Sequence, residues 1–107
     1  MSALDIAIVR PHGRLDAQKA QPLEQELRQH LARGHVRILI DLGDVRYISS
    51  NGLRVLLRIS RAARQSGGGL KTCCATARVT EIFRMAGLDQ VLEMYDHRVD
   101  AERAFEG

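Results

Sequence analysis

Ser49 and Ser50 stand side by side, followed by Asn51 and Gly52 and then by a strongly apolar run. Serine and asparagine oxygens accept hydrogen bonds from the backbone N–H groups that the first turn of a helix leaves unpaired, so on residue type alone the segment is a helix cap. The remaining chemically capable residues are poorly arranged for catalysis. His12, His30, His35 and His97 have no metal-ligand spacing, and no serine or cysteine is served by an obvious base. Each histidine reads as a surface group. Cys73 and Cys74 are adjacent and cannot staple a loop; in a β pattern they are expected to face opposite sides of a strand, as reduced thiols whose role is packing. Gly67-Gly68-Gly69 lacks the following Lys-Ser/Thr of a phosphate loop, so it reads as a helix stop. No enzyme, metal or cofactor is implied.

The elements around these residues follow from hydrophobic spacing. Leu4 to Arg10 alternates as a half-buried strand, Pro11-His12-Gly13 is turn chemistry, and Arg14-Leu15 is a short second strand. From Ala17 to Arg33, Ala20, Leu23, Leu27 and Leu31 recur every three or four residues on one helical stripe. Pro22 fits only a first turn, which moves the expected regular helix to near Gln21, and Gly34 ends it. Val36 to Leu42 is a nearly continuous, β-branched apolar run, the pattern of a central strand covered on both faces. Val45 to Ile48 reads as an extended connector, and a second helix runs to about Ser66. Leu70 to Ala75 is expected as a strand, Thr80 to Met85 as a short helix closed by Gly87, Val91 to Tyr95 as a strand and Val99 to Phe105 as a final helix. Strands alternating with helices imply an α/β fold with a mixed, mostly parallel sheet of four to five strands and about four helices.

In the second helix Leu53, Val55, Leu56, Leu57, Ile59, Ala62 and Ala63 cover most of the circumference. Arg54, Arg58 and Arg61 share the narrow remaining face, with Arg64 at its edge. Such a stripe either keeps the surface soluble or forms an electrostatic rim for an acidic partner.

With 107 residues, 45% hydrophobic and 27% charged, the chain has the size and composition of one globular domain over residues 1–107. The net charge of +3 is spread along the chain without a basic tail or run, which argues against direct nucleic-acid binding. No apolar run approaches the roughly 20 residues of a membrane span. The first residues lack a basic segment followed by an apolar one, so a secretory signal is not expected and the cytoplasm is. The plainest oligomeric state is a monomer.

Asp41-Leu42, Val45, Tyr47-Ile48, Ser49-Ser50, Gly52-Leu53 and Val55-Leu56-Leu57, in that order, resemble the STAS domain, and more narrowly the free-standing anti-sigma factor antagonists of bacteria. Gly13-Arg14-Leu15-Asp16, Gly68-Gly69-Leu70 and the segment Val79, Ile82-Phe83, Met85, Gly87-Leu88 extend the resemblance over nearly the whole chain. The family's central motif reads Asp-Ser-Ser/Thr-Gly-Leu, with the residue after Asp phosphorylated. The resemblance therefore puts Ser50 at the phosphoacceptor position, Ser49 where the family has Asp, and Asn51 before the glycine. Ser49 is the fallback acceptor.

The resemblance further implies partners: an anti-sigma factor with a histidine-kinase-like ATPase fold, which binds the unphosphorylated form and whose capture frees a sigma factor; that partner acting as a serine kinase, or a related kinase, which phosphorylates Ser50 from ATP; and a metal-dependent Ser/Thr phosphatase that resets the switch. Asp16, Ser49, Ser50, Asn51, Gly52, Leu53, Arg54 and Arg58 are the expected contact face. STAS-like domains also serve as constant interaction subunits of transporters, lipid-trafficking complexes and stress-sensing assemblies. In such a setting Ser50 would be merely a cap.

Overall fold

In the computed structural model, which describes residues 5–106, the chain runs β1 (Ile6–Val9), β2 (His12–Leu15), α1 (Ala17–Ala32), β3 (Arg37–Asp41), β4 (Asp44–Ile48), α2 (Ser50–Gln65), β5 (Gly69–Cys73), α3 (Ala77–Met85), a 3-10 turn (Leu88–Gln90), β6 (Glu93–Tyr95) and α4 (Arg98–Glu106). The expected start of the first strand at Leu4 lies outside the described residues. The strands form two sheets, β1-β3-β5-β6 and the pair β2-β4, and each pairing is parallel. The α/β architecture thus matches the expectation, with its strands divided between a main sheet and a ribbon.

β3 sits inside the main sheet because it can be buried on both faces. Ile38, Leu39 and Ile40 are all fully buried. Ile38 and Ile40 join Leu27, Leu56, Ile59, Leu70 and Phe83 in the larger core. Leu39 points to the opposite face, where it packs with Cys73 and Ala101 of α4. α1 and α2 pack against each other, and α4 against β3, β5 and β6.

Four expectations change. α1 begins at Ala17, not near Gln21, because the Asp16 carboxylate accepts hydrogen bonds from the Gln18 and Lys19 N–H groups and fixes the start a turn earlier. Pro22 then lies in the second turn with its ring exposed, and the helix forgoes the single hydrogen bond that its missing N–H would have made. Val45 to Ile48 is no connector: Asp44–Ile48 is β4, whose buried Val45 and Ile48 anchor the ribbon. α3 starts at Ala77, three residues early, since the Thr76 hydroxyl caps it by accepting from the Val79 N–H at 3.2 Å.

The fourth correction concerns the cysteines. Cys73 and Cys74 do not face opposite sides; both pack in the cluster under α4. Cys74 follows the last residue of β5 with a φ of 66°, and this left-handed turn rotates its side chain back to the face that Cys73 occupies.

Candidate functional site

The β2–β4 ribbon sets two helix starts side by side. Leu15 and Ile48 are partners in its parallel register, both are buried, and the residue after each is an N-cap: Asp16 for α1, Ser49 for α2. The Ser49 N–H donates to the Leu15 carbonyl at 2.9 Å, continuing the ladder one residue past β4. Asp16 and the start of the Ser49–Arg54 segment are therefore brought together by backbone pairing.

The two serines hold different positions. Ser49 is half-buried, and its hydroxyl donates to the Leu15 carbonyl at 3.0 Å while accepting from the Gly52 N–H at 3.3 Å. Ser50 is the first residue of α2 and exposed, and its hydroxyl has no hydrogen-bond partner among the described residues. The cap is Ser49. The adjacent hydroxyl is left over, beside the N–H groups and the positive dipole end of a sixteen-residue helix.

Gly52 makes this junction possible by close approach. A Cβ there would stand 2.8 Å from Ile48 Cγ1 and 3.1 Å from the Leu15 carbonyl oxygen. Gly52 and Leu53 are buried, so of the α2 segment it is Ser50, Asn51 and Arg54 that present exposed surface.

The electrostatics are basic but partly internal. The first turn of α2 carries no acid, Arg54 reaches Asn51 Oδ1 at 3.4 Å, and Arg54, Arg58 and Arg61 are exposed as expected. The stripe is not uniformly free, however. Arg58 clamps Glu24 of α1 with two hydrogen bonds, Nη2 to Oε1 at 2.7 Å and Nε to Oε2 at 3.0 Å, and Arg64 donates to the Val91 carbonyl. The Arg58 hydrogen bonds, reinforced by Arg28, hold the Glu24 carboxyl at about 2 against the opposing effect of burial. Glu24 escaped sequence reasoning because it lies 34 residues from its partner. So did Arg14, whose guanidinium stacks 4.5 Å over the Tyr47 ring across the ribbon. The sequence signal for this contact is alternation within strands of four and five residues, too short to stand out.

Elsewhere no catalytic pair assembles among the described residues. His12 and His97 are exposed, whereas His30 and His35 meet with their Nδ1 atoms 3.5 Å apart. Burial pushes the Cys73 thiol up to about 12, with Cys74 and the Asp41 charge adding to the effect, so in the protein alone it is a neutral thiol and a poor nucleophile.

A family model described as Mlab, STAS domain matches residues 4–94. The chain belongs to the STAS-domain family. Relatives of this STAS domain include BtrV of Bordetella bronchiseptica, assigned as an anti-sigma factor antagonist, which is 36% identical over 93 residues, 87% of this chain and 80% of that protein. Among solved structures, a Thermotoga maritima protein with the same assignment superposes with a TM-score of 0.90 at 24% identity, covering 96% of this chain and 89% of that one. Bacillus SpoIIAA, an anti-sigma factor antagonist solved in unphosphorylated and phosphorylated forms, superposes at 0.74 and 0.72 with 14% and 15% identity, over 97% of this chain and 91% and 95% of those. At these identities the structural likeness establishes the STAS fold. No helix among the described residues is long and apolar enough to cross a membrane.

Proposed function

We propose that the chain, as one STAS module over residues 1–107, is an anti-sigma factor antagonist whose docking is switched at Ser50. The unphosphorylated form binds an anti-sigma factor of histidine-kinase-like ATPase fold and frees a sigma factor. Transfer of the γ-phosphoryl group of ATP to Ser50 Oγ, with the hydroxyl proton passing to a base of the kinase and ADP leaving, ends the association. A metal-dependent Ser/Thr phosphatase restores the hydroxyl by passing the phosphoryl group to water. The chain acts as a cytoplasmic monomer and a binding protein, not an enzyme, with no role for nucleic acid or membrane.

One observation carries this reading: the Ser49 hydroxyl is committed to Leu15 and Gly52, and the Ser50 hydroxyl is exposed and unpartnered among the described residues. A phosphoserine adds about −1.5 to −2 charge and three strong acceptors. At the first position of α2 these face unpaired N–H groups and the favourable dipole end, so the fold bears them. In a closed protein interface the same charge is opposed by desolvation and repulsion. Asp16, Ser49, Ser50, Asn51, Arg54 and Arg58 form the contact face, with Gly52 and Leu53 holding its first turn in place from beneath.

The test is phosphoryl transfer from labelled ATP by the partner ATPase to wild type, Ser50→Ala and Ser49→Ala. Label is expected on wild type and Ser49→Ala and absent from Ser50→Ala. Label lost from Ser49→Ala alone would move the acceptor to Ser49. Full labelling of both variants would remove the switch and leave the domain as a constant interaction subunit.

A further inference from the structure

At the C-terminal ends of β3 and β5, neighbours in the main sheet, three donor side chains converge away from the Ser50 junction. One carboxylate oxygen of Asp41 and the sulfurs of Cys73 and Cys74 all lie within 4.8 Å of one another. We propose that Asp41, Cys73 and Cys74 form a binding site for one thiophilic divalent cation, zinc in the first instance, with a fourth tetrahedral position left open.

The donor set selects the ion class. Two sulfurs exclude magnesium and calcium, which take oxygen ligands, and suit zinc and its softer relatives. Zinc–sulfur bonds of about 2.3 Å and zinc–oxygen bonds of about 2.0–2.2 Å imply tetrahedral edges of roughly 3.5–3.8 Å, within small rotamer adjustments of the observed cluster. Three protein donors with one open position is the arrangement of zinc sites that accept a further ligand.

Three features of the surroundings fit a built site. The left-handed conformation of Cys74, uncommon for any residue but glycine, is what turns its sulfur toward Cys73. The Gly43 N–H donates to Asp41 Oδ1 at 2.9 Å, orienting the carboxylate as an outer partner of a metal ligand does, while Oδ2 has only a long ion pair, 3.6 Å, to the exposed Arg10. Gly43 itself leaves the approach open: a Cβ there would stand 3.2 Å from Asp41 Oδ1 and 3.7 Å from the Cys74 Cβ. Charge also closes. On binding, each thiol releases its proton to solvent, so two thiolates and a carboxylate face one dication, and Arg10, 3.6 Å from Asp41 Oδ2, offsets the remaining negative charge.

A disulfide between the two cysteines is the rival chemistry. It would need a sulfur–sulfur bond of about 2.03–2.05 Å across a single peptide. The backbone on both sides is already held: the Cys73 carbonyl accepts from the Leu42 N–H at 2.9 Å, and the Cys74 N–H donates to the Tyr95 carbonyl at 3.0 Å.

Titration of the reduced full chain with cobalt(II) tests the site, followed by zinc affinity from chelator competition. One equivalent of cobalt is expected to give a near-ultraviolet thiolate-to-cobalt charge-transfer band with the visible bands of tetrahedral coordination, and zinc to displace it. Cys74→Ser and Asp41→Asn should each weaken zinc binding at least tenfold while circular dichroism stays that of wild type. Asparagine keeps the acceptor for Gly43, so the second variant preserves the turn even if the first does not fold. Absence of the charge-transfer band, or equal zinc affinity in wild type and Asp41→Asn, overturns the proposal. So does loss of both titratable thiols in air with no cobalt spectrum, which would mark a disulfide. None of these outcomes involves Asp16 or Ser49–Arg54, so the antagonist reading stands or falls separately.

Discussion

Ser49-Ser50 and Cys73-Cys74 are both identical doublets placed where a strand of a parallel sheet ends, and they behave in opposite ways. The serines divide: one turns inward to cap α2, and the other is left at the surface. The cysteines are expected to divide by strand alternation and instead converge on one face. The difference lies in the residue that leaves the strand. Ser49 stays extended, with φ −86° and ψ 171°, and the chain enters a helix directly. Cys74 takes a φ of 66°, which undoes the alternation. Side-chain direction past a strand end is thus set by one backbone angle, and residue type alone does not report it.

The serine half of the comparison breaks most severely at Gly52. Gly52→Ala forces a Cβ against Ile48 and the Leu15 carbonyl, and should destabilise the chain by about 1–3 kcal/mol, an overpacking cost read from urea unfolding. A variant as stable as wild type would mean that the junction can shift without loss. Ser50→Asp sharpens the same contrast from the other side. It should weaken partner binding at least tenfold, about 1.4 kcal/mol, while moving the melting temperature by only a few degrees. A collapsed melting curve would show Ser50 to be structural.

A separate effect is expected in acid. The folded-state pKa of Glu24, about 2, lies below its ordinary 4.5. The ionised carboxylate therefore contributes stability that is fully present above pH 4.5 and is lost as pH falls toward 2. In Glu24→Gln the dependence of unfolding free energy on pH should be flatter across that window. An unchanged slope would remove the α1–α2 clamp from the account. For the arginine stripe, reversal of Arg54 should slow association more at low salt than at high, since its contact with Asn51 is long and its charge faces solvent. Rates equal at both salt concentrations would make it a solubility feature.

Much of the fold was legible because burial and spacing agree. β3 is a continuous apolar run and is buried on both faces, and α2 shows a wide apolar arc with arginines on the remaining stripe. The serine doublet was legible as a junction, though which hydroxyl caps the helix was not, since either could reach an N–H. What escaped depends on distance in sequence or on short-range competition. The Glu24–Arg58 clamp spans 34 residues. The ribbon is built from strands of four and five residues, too short for alternation to stand out. α1 starts early because the Asp16 cap prevails over Pro22, and nothing in a Cys-Cys dipeptide announces a left-handed turn.

The division of labour between the serines is tested most directly by urea unfolding of Ser49→Ala and Ser50→Ala under identical conditions. Ser49→Ala should lose about 1 kcal/mol or more, the cost of an N-cap whose hydroxyl also binds the Leu15 carbonyl. Ser50→Ala should stay within about 0.5 kcal/mol of wild type. The reverse ranking, with Ser50→Ala the more damaged, would contradict the account.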